Sequence, residues 1–393
     1  MARQRTILTL NGGSSSLKFA IFDLGRPERC VTRGQFDRVG RDGTTFSVGD
    51  SNREVGRLDH RAATDYVLEW LDGNGDLGSV VAVGHRIVHG GSRYVAPAII
   101  DAAMLAELGR ISPFAPEHLP TEMEIAAACR QRLPDIPQVA CFDTAFHRSM
   151  PTVARMLAIP RRYFERGIER YGFHGLSYTY LMGVLERETG RDAARGRLVL
   201  AHLGHGASLA AVRDGKSIDT TMGFTPAAGV PMSTRSGDLD PGLVQYLART
   251  DVMDAASFDR MVNHESGLLG ISGTSGDVRD LLERESSDPR AAEALALFCY
   301  QIRKAIGGLI AALGGLDMLV FAGGIGEHSS VVRSRICDGL SFLGIELDSV
   351  SNSADAPIIS TPSANVQVRV IATDEEAVIA QITAELLNKE LSE

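Results

Sequence analysis

Four ionisable side chains stand in glycine-rich or strand-end settings: Arg86 in Gly-His-Arg-Ile-Val-His-Gly-Gly, Asp143 in Cys-Phe-Asp-Thr-Ala-Phe-His, His174 in Tyr-Gly-Phe-His-Gly-Leu-Ser, and Arg235 in Met-Ser-Thr-Arg-Ser-Gly-Asp. Taken singly, each reads equally well as a capped loop or a solvated ion pair. Taken together they supply the parts of a phosphoryl-transfer site: guanidinium groups that spread phosphate charge, a carboxylate for Mg²⁺, and an imidazole donor. No Ser-His-Asp or Cys-His nucleophile is evident.

The elements that must position these groups are short strands closed by glycine turns. Residues 7–23 read as an apolar strand, a Gly12-Gly13-Ser14-Ser15-Ser16 turn, and a second apolar strand that carries Lys18 and ends at Asp23. Glycine lets backbone approach closely and serine adds small hydroxyls, so the turn is either a plain hairpin or a cradle for phosphate oxygens. A second hairpin has the same layout around Gly204-His205-Gly206, and His202 to Asp214 spans the same distance as Asn11 to Asp23. This echo predicts two related halves. A third cluster, Gly323-Gly324-Ile325-Gly326, follows a buried strand and opens a helix; it reads as a strand–helix loop or as a backbone contact to a nucleotide. Two nucleotide signatures fail. Ala210 stands where a Walker A motif ending in Gly215-Lys216-Ser217 needs glycine, and Leu209 stands where a dinucleotide fingerprint needs its third glycine. Asp214-Gly215 is a hairpin turn instead.

Strands are further expected over 80–83 and 139–142, and helices over 102–109, 122–132, 178–189, 291–313 and 375–391. Alternating strands and helices predict layered α/β architecture. The 393 residues suffice for two domains, 44% hydrophobic and 23% charged content is ordinary for a globular chain, and a net charge of −9 speaks against a nucleic-acid partner. Five dispersed cysteines without a Cys-x-x-Cys pair suit reduced thiols in a cytoplasmic protein. The apolar run near the N-terminus breaks at Asn11, too early for a signal-peptide core. The glycine-rich stretch 307–326, which contains Asp317, reads as helix, turn and strand rather than a membrane span.

Placed in order, these motifs identify a resemblance. Leu-Asn-Gly-Gly-Ser-Ser-Ser-Leu-Lys-Phe, Gly-His-Arg-Ile-Val-His-Gly-Gly, Phe-Asp-Thr-Ala-Phe-His, Tyr-Gly-Phe-His-Gly, Asp-Thr-Thr-Met-Gly-Phe-Thr-Pro, Gly-Leu-Leu-Gly-Ile-Ser-Gly, Gly-Gly-Ile-Gly-Glu and Thr-Asp-Glu-Glu look like the signatures of the acetate kinases. That family lies within the acetate and sugar kinase/Hsp70/actin superfamily. The resemblance implies two duplicated ribonuclease H-like (actin-like ATPase) domains with a cleft between them: residues 1–150 together with a C-terminal helix from about 375 to 393, and residues 151–374. It implies a cytoplasmic homodimer that binds no nucleic acid or membrane. The implied reaction is reversible in-line transfer of the ATP γ-phosphoryl group to acetate or a similar short carboxylate, with Mg²⁺ (replaceable by Mn²⁺).

By position, the resemblance assigns Asn11 and Glu375 to the metal, and Ser14, Ser16 and Lys18 to the phosphates. Arg86 would hold the acid's carboxylate, with Val88, Glu117 and Pro226 near its alkyl end. Asp143 would orient Arg235 and assist the metal. His174, His202 and Arg235 would stabilise the transferring group, with His205 and Gly206 in the second phosphate turn. Asp277, Arg279, Gly324 and Ile325 would flank the adenosine. A carboxylate nucleophile is already ionised at neutral pH, so charge neutralisation rather than a general base is the requirement.

The chain departs from the family pattern at Glu117 (usually Leu), His205 (usually Asn), Ala227-Ala228 (usually Leu-Glu), Ser233 (usually Gly), Tyr178 (usually His) and His328 (usually Asn). An ionised Glu117 beside a carboxylate would repel it unless paired or protonated. Two further readings therefore accompany acetate kinase: a kinase for another short acid such as propionate, and a non-enzymatic ATP-binding protein of the actin/Hsp70 kind.

Overall fold

The structure, a computed structural model, describes residues 5–390. The chain divides into two compact units. The first comprises the chain up to Ala145, Gly175–Tyr180, and the chain from Asp374 onward; the second comprises Phe146–His174 and Leu181–Thr373.

The first unit is built on strands β1 (Thr6–Gly12), β2 (Ser16–Asp23), β3 (Arg26–Asp37), β4 (Thr44–Val48), β5 (Ser51–Gly56), β6 (Val80–Ile87), β7 (Ala98–Ile99) and β8 (Gln138–Phe142). They lie in the order β5-β4-β3-β2-β1-β6-β8-β7. Side chains alternate between the sheet's faces, so both faces must be covered. Leu8, Leu10, Phe19, Ile21 and Phe36 pack on one side against the helices His60–Gly73 and Leu119–Arg132. Ala20 and Phe22 pack against Ala377 and Ala380 of the helix Glu375–Glu390 on the other. Gly84 permits that approach: a Cβ there would stand 2.5 Å from the Ile379 side chain.

The second unit holds β9 (Leu198–Leu203), β10 (Ala207–Arg213), β11 (Lys216–Thr220), β12 (Met318–Ala322) and β13 (Gln367–Val370), in the order β11-β10-β9-β12-β13. The helix Pro289–Leu313 starts at the Asp288 cap and ends at Gly314 (φ 74°). By length and composition it is apolar enough to cross a membrane, but Leu295, Phe298, Ile302, Ile306 and Leu313 are buried in this unit's core. In both sheets two antiparallel hairpin pairings are followed by two parallel ones, so β3-β2-β1-β6-β8 corresponds to β11-β10-β9-β12-β13. This is the duplicated ribonuclease H-like arrangement of actin-like ATPases. Asp214 (φ 55°) and Gly215 (φ 72°) form the β10–β11 turn, the hairpin that the near-match to a Walker A motif conceals.

Several boundaries differ from expectation. The strand expected over 80–83 runs on to Ile87, so Arg86 sits on the strand rather than in a loop. The helices expected from residues 122 and 178 begin at Leu119 and Gly175. Pro120 is tolerated in the first turn of the helix Leu119–Arg132, where no N–H partner is needed. Residue 391, the end of the last expected helix, lies outside the described residues. Gly175–Tyr180, within the segment assigned to the second domain, packs in the first unit.

The two hairpins also differ in register despite their equal sequence spacing. Gly13 N–H donates to the Ser16 carbonyl at 2.8 Å, and Asn11 pairs with Lys18. Gly204 N–H donates to the Gly206 carbonyl at 2.9 Å, which closes a tighter turn and pairs His202 with Ser208 rather than Leu209. Because strand side chains alternate, this shift decides which residue shares a face with His202.

Candidate active site

In the first unit the expected residues gather at the C-terminal ends of β1, β6 and β8. Buried Asn11 donates through Nδ2 to Glu375 Oε2 and Glu376 Oε1, both at 3.0 Å. These glutamates open the helix Glu375–Glu390, where the N-terminal backbone dipoles favour negative charge. Burial pushes the Glu376 carboxyl above its ordinary range, opposed by Lys18. Lys18 is cross-strand from Asn11. In the intervening turn Ser14 is exposed and Ser16 half-buried. The turn suits glycine at position 13, where a Cβ would meet Ser16 Oγ at 2.7 Å.

Arg86 is the best-fixed charge of this group. Its Nε and Nη2 donate to Asp143 Oδ2 at 3.0 and 2.6 Å, and its Nη1 donates to the Gly12 carbonyl at 3.0 Å. Burial works against the Arg86 charge, but Asp143, Glu375 and Glu122 more than offset it and its pKa stands above the ordinary value. Burial also raises Asp143, to about 6, against the pull of Arg86. The Asp143 backbone is tied on both sides: its N–H donates to the Ile87 carbonyl and its carbonyl accepts from Gly175 N–H, each at 3.0 Å. Val88 is buried one residue beyond β6. Glu117 is half-buried in the turn ahead of the helix Leu119–Arg132.

Asn11 Oδ1 and the Glu375 carboxylate offer hard oxygen donors, the type that Mg²⁺ takes. Among the described residues no group of three or more His, Cys, Asp or Glu side chains is gathered for a metal ion.

In the second unit, His174, His202, Gly206 and Arg235 come together. The His174 and His202 rings stack with centroids 4.3 Å apart, and His174 Nδ1 lies 2.8 Å from Ser208 Oγ. His174 is held in the left-handed region (φ 59°) just before the helix Gly175–Thr189, an uncommon conformation for a residue with a side chain. A Cβ at Gly206 would stand 3.2 Å from His174 Nε2 and 3.5 Å from Arg235 Nη1, so this glycine lets both groups close on the turn. The loop that carries Arg235 is secured by backbone bonds: Met232 N–H donates to the Arg235 carbonyl at 3.0 Å, and Leu268 and Leu269 N–H donate to the carbonyls of Met232 and Ser233, both at 2.9 Å. Gly267 (φ 61°) is required there, since a Cβ would meet the Met232 carbonyl at 2.1 Å. Pro226 is half-buried in the loop that follows β11.

A cavity of about 720 Å³ lies wholly within this unit. His205, Asp277, Arg279, Gly324 and Ile325 line it, together with Ser233, Thr234 and His328. Asp277 caps the helix Val278–Arg284 by accepting from Arg279 N–H at 2.8 Å and also receives the Arg279 guanidinium, with Nη2 to Oδ2 at 2.7 Å. Arg279 holds the Asp277 carboxyl below its usual range. Partial burial and the Arg235 charge hold the His205 imidazole below its ordinary pKa, so it is neutral at neutral pH.

Four supporting side chains escaped the sequence reading. Glu376 stands in the Thr-Asp-Glu-Glu motif, beside Glu375. Ser208 was hidden by the register shift. Glu327 accepts from the N–H groups of Gly323 at 2.8 Å and Thr373 at 3.1 Å and so fixes the glycine turn. Glu122 accepts from Val88 N–H at 2.9 Å; its place in a first helical turn gives no signal of a partner 34 residues away.

The acetokinase family pattern matches residues 6–381. An acetate kinase of Methylocella silvestris is 43% identical over 402 residues, covering 98% of each chain. A propionate kinase of Citrobacter rodentium is 42% identical and covers 95% of each. Among solved structures, a propionate kinase from Francisella tularensis superposes with a TM-score of 0.92 at 34% identity, over 97% of this chain and 99% of that one.

Proposed function

The chain belongs to the acetokinase family, and we propose that it is an ATP:acetate phosphotransferase whose two substrates are held by different units. The observation that carries this reading is kinship to acetate kinases along nearly the whole chain. A carboxylate oxygen of the acid attacks the γ-phosphorus, the bond from that phosphorus to the bridging oxygen of ADP breaks, and acyl phosphate and ADP result with no proton to place. The reaction runs in both directions.

On this reading Arg86 takes the acid's carboxylate. Asp143 and the Gly12 carbonyl already fix its guanidinium, so little side-chain freedom remains to be lost on binding. Val88 and Glu117, in the same unit as Arg86, flank the alkyl end. The cavity lined by Asp277, Arg279, Gly324 and Ile325 receives adenosine, while His205 and Gly206 face the phosphates. Ser14, Ser16 and Lys18 offer hydroxyl and ammonium donors to phosphate from the first unit. His174, His202 and Arg235 neutralise the charge that spreads over the equatorial oxygens during transfer. Asn11 and Glu375 hold Mg²⁺, which supplies charge neutralisation to the phosphates when bound. Asp143 keeps Arg86 aligned and assists the metal.

The protein acts in the cytoplasm as a homodimer. The helices Gly242–Thr250 and Ala255–His264 contain no buried residue, while Val244, Tyr246 and Val252 are 47%, 62% and 88% exposed, an apolar surface suited to a second copy.

The test is hydroxylamine trapping across acetate, propionate, butyrate and lactate with MgATP. The expected result is acyl hydroxamate with the highest kcat/KM for acetate. A higher value for propionate moves the assignment to the propionate kinases, and no hydroxamate from any acid overturns it.

A further inference from the structure

Residues 86–90 hold the charged and the apolar contact proposed for the acid, and their backbone is pinned from several sides. Gly90 N–H donates to Thr144 Oγ1 at 3.2 Å, and the Gly90 Cα is so close to Tyr94 that a Cβ would meet its carbonyl oxygen at 2.0 Å. Nearer to Arg86, the pin is a side chain from another element. Glu122, in the first turn of the helix Leu119–Arg132, is 2% exposed and accepts from Val88 N–H through Oε2. Its other oxygen, Oε1, is buried and receives no hydrogen bond.

From this geometry we propose that Glu122 is a positioning residue for the acid substrate. It holds the Val88 N–H, and so sets the spacing between the Arg86 guanidinium and the Val88 side chain that together receive a short carboxylate. The inference rests on the acid-kinase reading given above.

The form in which Glu122 does this follows from its surroundings. A buried carboxylate oxygen without a donor is costly, and a proton removes most of that cost. Burial pushes the Glu122 carboxyl up to about 8, against the pull of Arg86 on β6 and the Val88 N–H, and Asp143 beyond β8 pushes in the same upward direction. At neutral pH the neutral acid therefore accepts the Val88 N–H through its carbonyl oxygen, and Arg86 keeps its ion pair with Asp143. Ionised above that range, Glu122 adds a further negative charge beside Arg86, and the arginine's attraction for an incoming carboxylate falls.

This predicts a glutamine-tolerant, alanine-sensitive position. The experiment compares the full-length wild type with Glu122→Gln and Glu122→Ala, measuring kcat and the KM values for acetate and ATP from pH 6 to 9. In Glu122→Ala the acetate KM should rise about tenfold while the ATP KM stays within about twofold, as expected when a buried N–H loses its acceptor at one substrate's site only. The wild-type acetate KM should rise above pH 8, and Glu122→Gln should keep the wild-type value at pH 7 to within about threefold and abolish that rise. If Glu122→Ala fails to fold, the glutamine variant alone decides the matter. An acetate KM that climbs with pH in Glu122→Gln as in the wild type, or a glutamine variant in which both KM values rise together, overturns the inference. A wild type that phosphorylates no acid is instead a failure of the acid-kinase reading, and the two failures are read from separate samples.

Discussion

The two glycine hairpins are alike in sequence layout and unlike in what their ends are tied to. The β1–β2 hairpin is tied to carboxylates and an arginine: Asn11 to Glu375 and Glu376, and the Gly12 carbonyl to Arg86. The β9–β10 hairpin is tied to imidazoles: His202 stacks on His174, and Ser208 bonds the same ring. One duplicated element thus ends among carboxylates and an arginine in one unit and among imidazoles and a hydroxyl in the other. A one-residue difference in turn register is part of how the second end acquired its own chemistry, because it sets Ser208 opposite His202.

The comparison is broken most severely at Arg86. Arg86→Ala should lower kcat/KM for acetate by about 10³-fold or more, since it removes a preorganised charged contact from a water-poor site. It also leaves Asp143 buried without its partner, a change that destabilises by about 3–5 kcal/mol in comparable buried pairs. Steady-state kinetics together with a denaturation curve separate the two effects, and an unchanged acetate KM would remove Arg86 from acid binding. On the second hairpin, Ser208→Ala should lower kcat by about tenfold, with the KM for either substrate little changed, because His174 loses the bond that orients its ring. An unchanged kcat in Ser208→Ala would remove that orienting role.

The smallest kinetic effect is expected at the turn residue that departs from the family pattern. His205→Asn should alter the ATP KM at pH 7 by no more than about threefold, because the imidazole is already neutral there. Lowering the pH until the wild-type imidazole gains its proton, which burial and Arg235 delay below the ordinary histidine range, sharpens the comparison: the wild-type ATP KM should shift there and that of the variant should not.

A stability measurement reaches the first unit independently of catalysis. The Glu122 carboxyl ordinarily titrates near 4.5 and is raised to about 8 in the folded chain. Between those values the unfolded chain has released a proton that the folded chain retains, so the unfolded state binds fewer protons and stability falls as pH rises, levelling off above 8. Asp143, raised from 3.8 to about 6, slopes the same way over a lower range. Denaturant midpoints at pH 5 and 8.5 should show this loss in the wild type and a smaller one in Glu122→Gln.

Much of this was legible in the sequence because Gly-rich turns mark strand ends, and parallel neighbours in a sheet bring their C-terminal ends together. Asn11, Arg86, Asp143 and His202 all stand at or next to strand ends, and the motif around each marks it. The duplicated sheets were visible for the same reason, as a repeated strand–turn–strand spacing. What stayed hidden depends on distance in the chain. Glu122 serves a backbone N–H on another element, and the periodicity of its own helix says nothing about that. Ser208 depended on a register that equal spacing does not fix. The helix expected from residue 122 starts three residues earlier because proline, which breaks a helix interior, is accepted in a first turn.

The central claim is that the chain moves a phosphoryl group from ATP to a carboxylate. Phosphorus NMR of the purified protein with ATP, Mg²⁺ and acetate tests it most directly. The account predicts an acyl-phosphate resonance that grows in step with ADP and is absent without acetate. ADP accumulating with inorganic phosphate at the same rate whether or not acetate is present would contradict it.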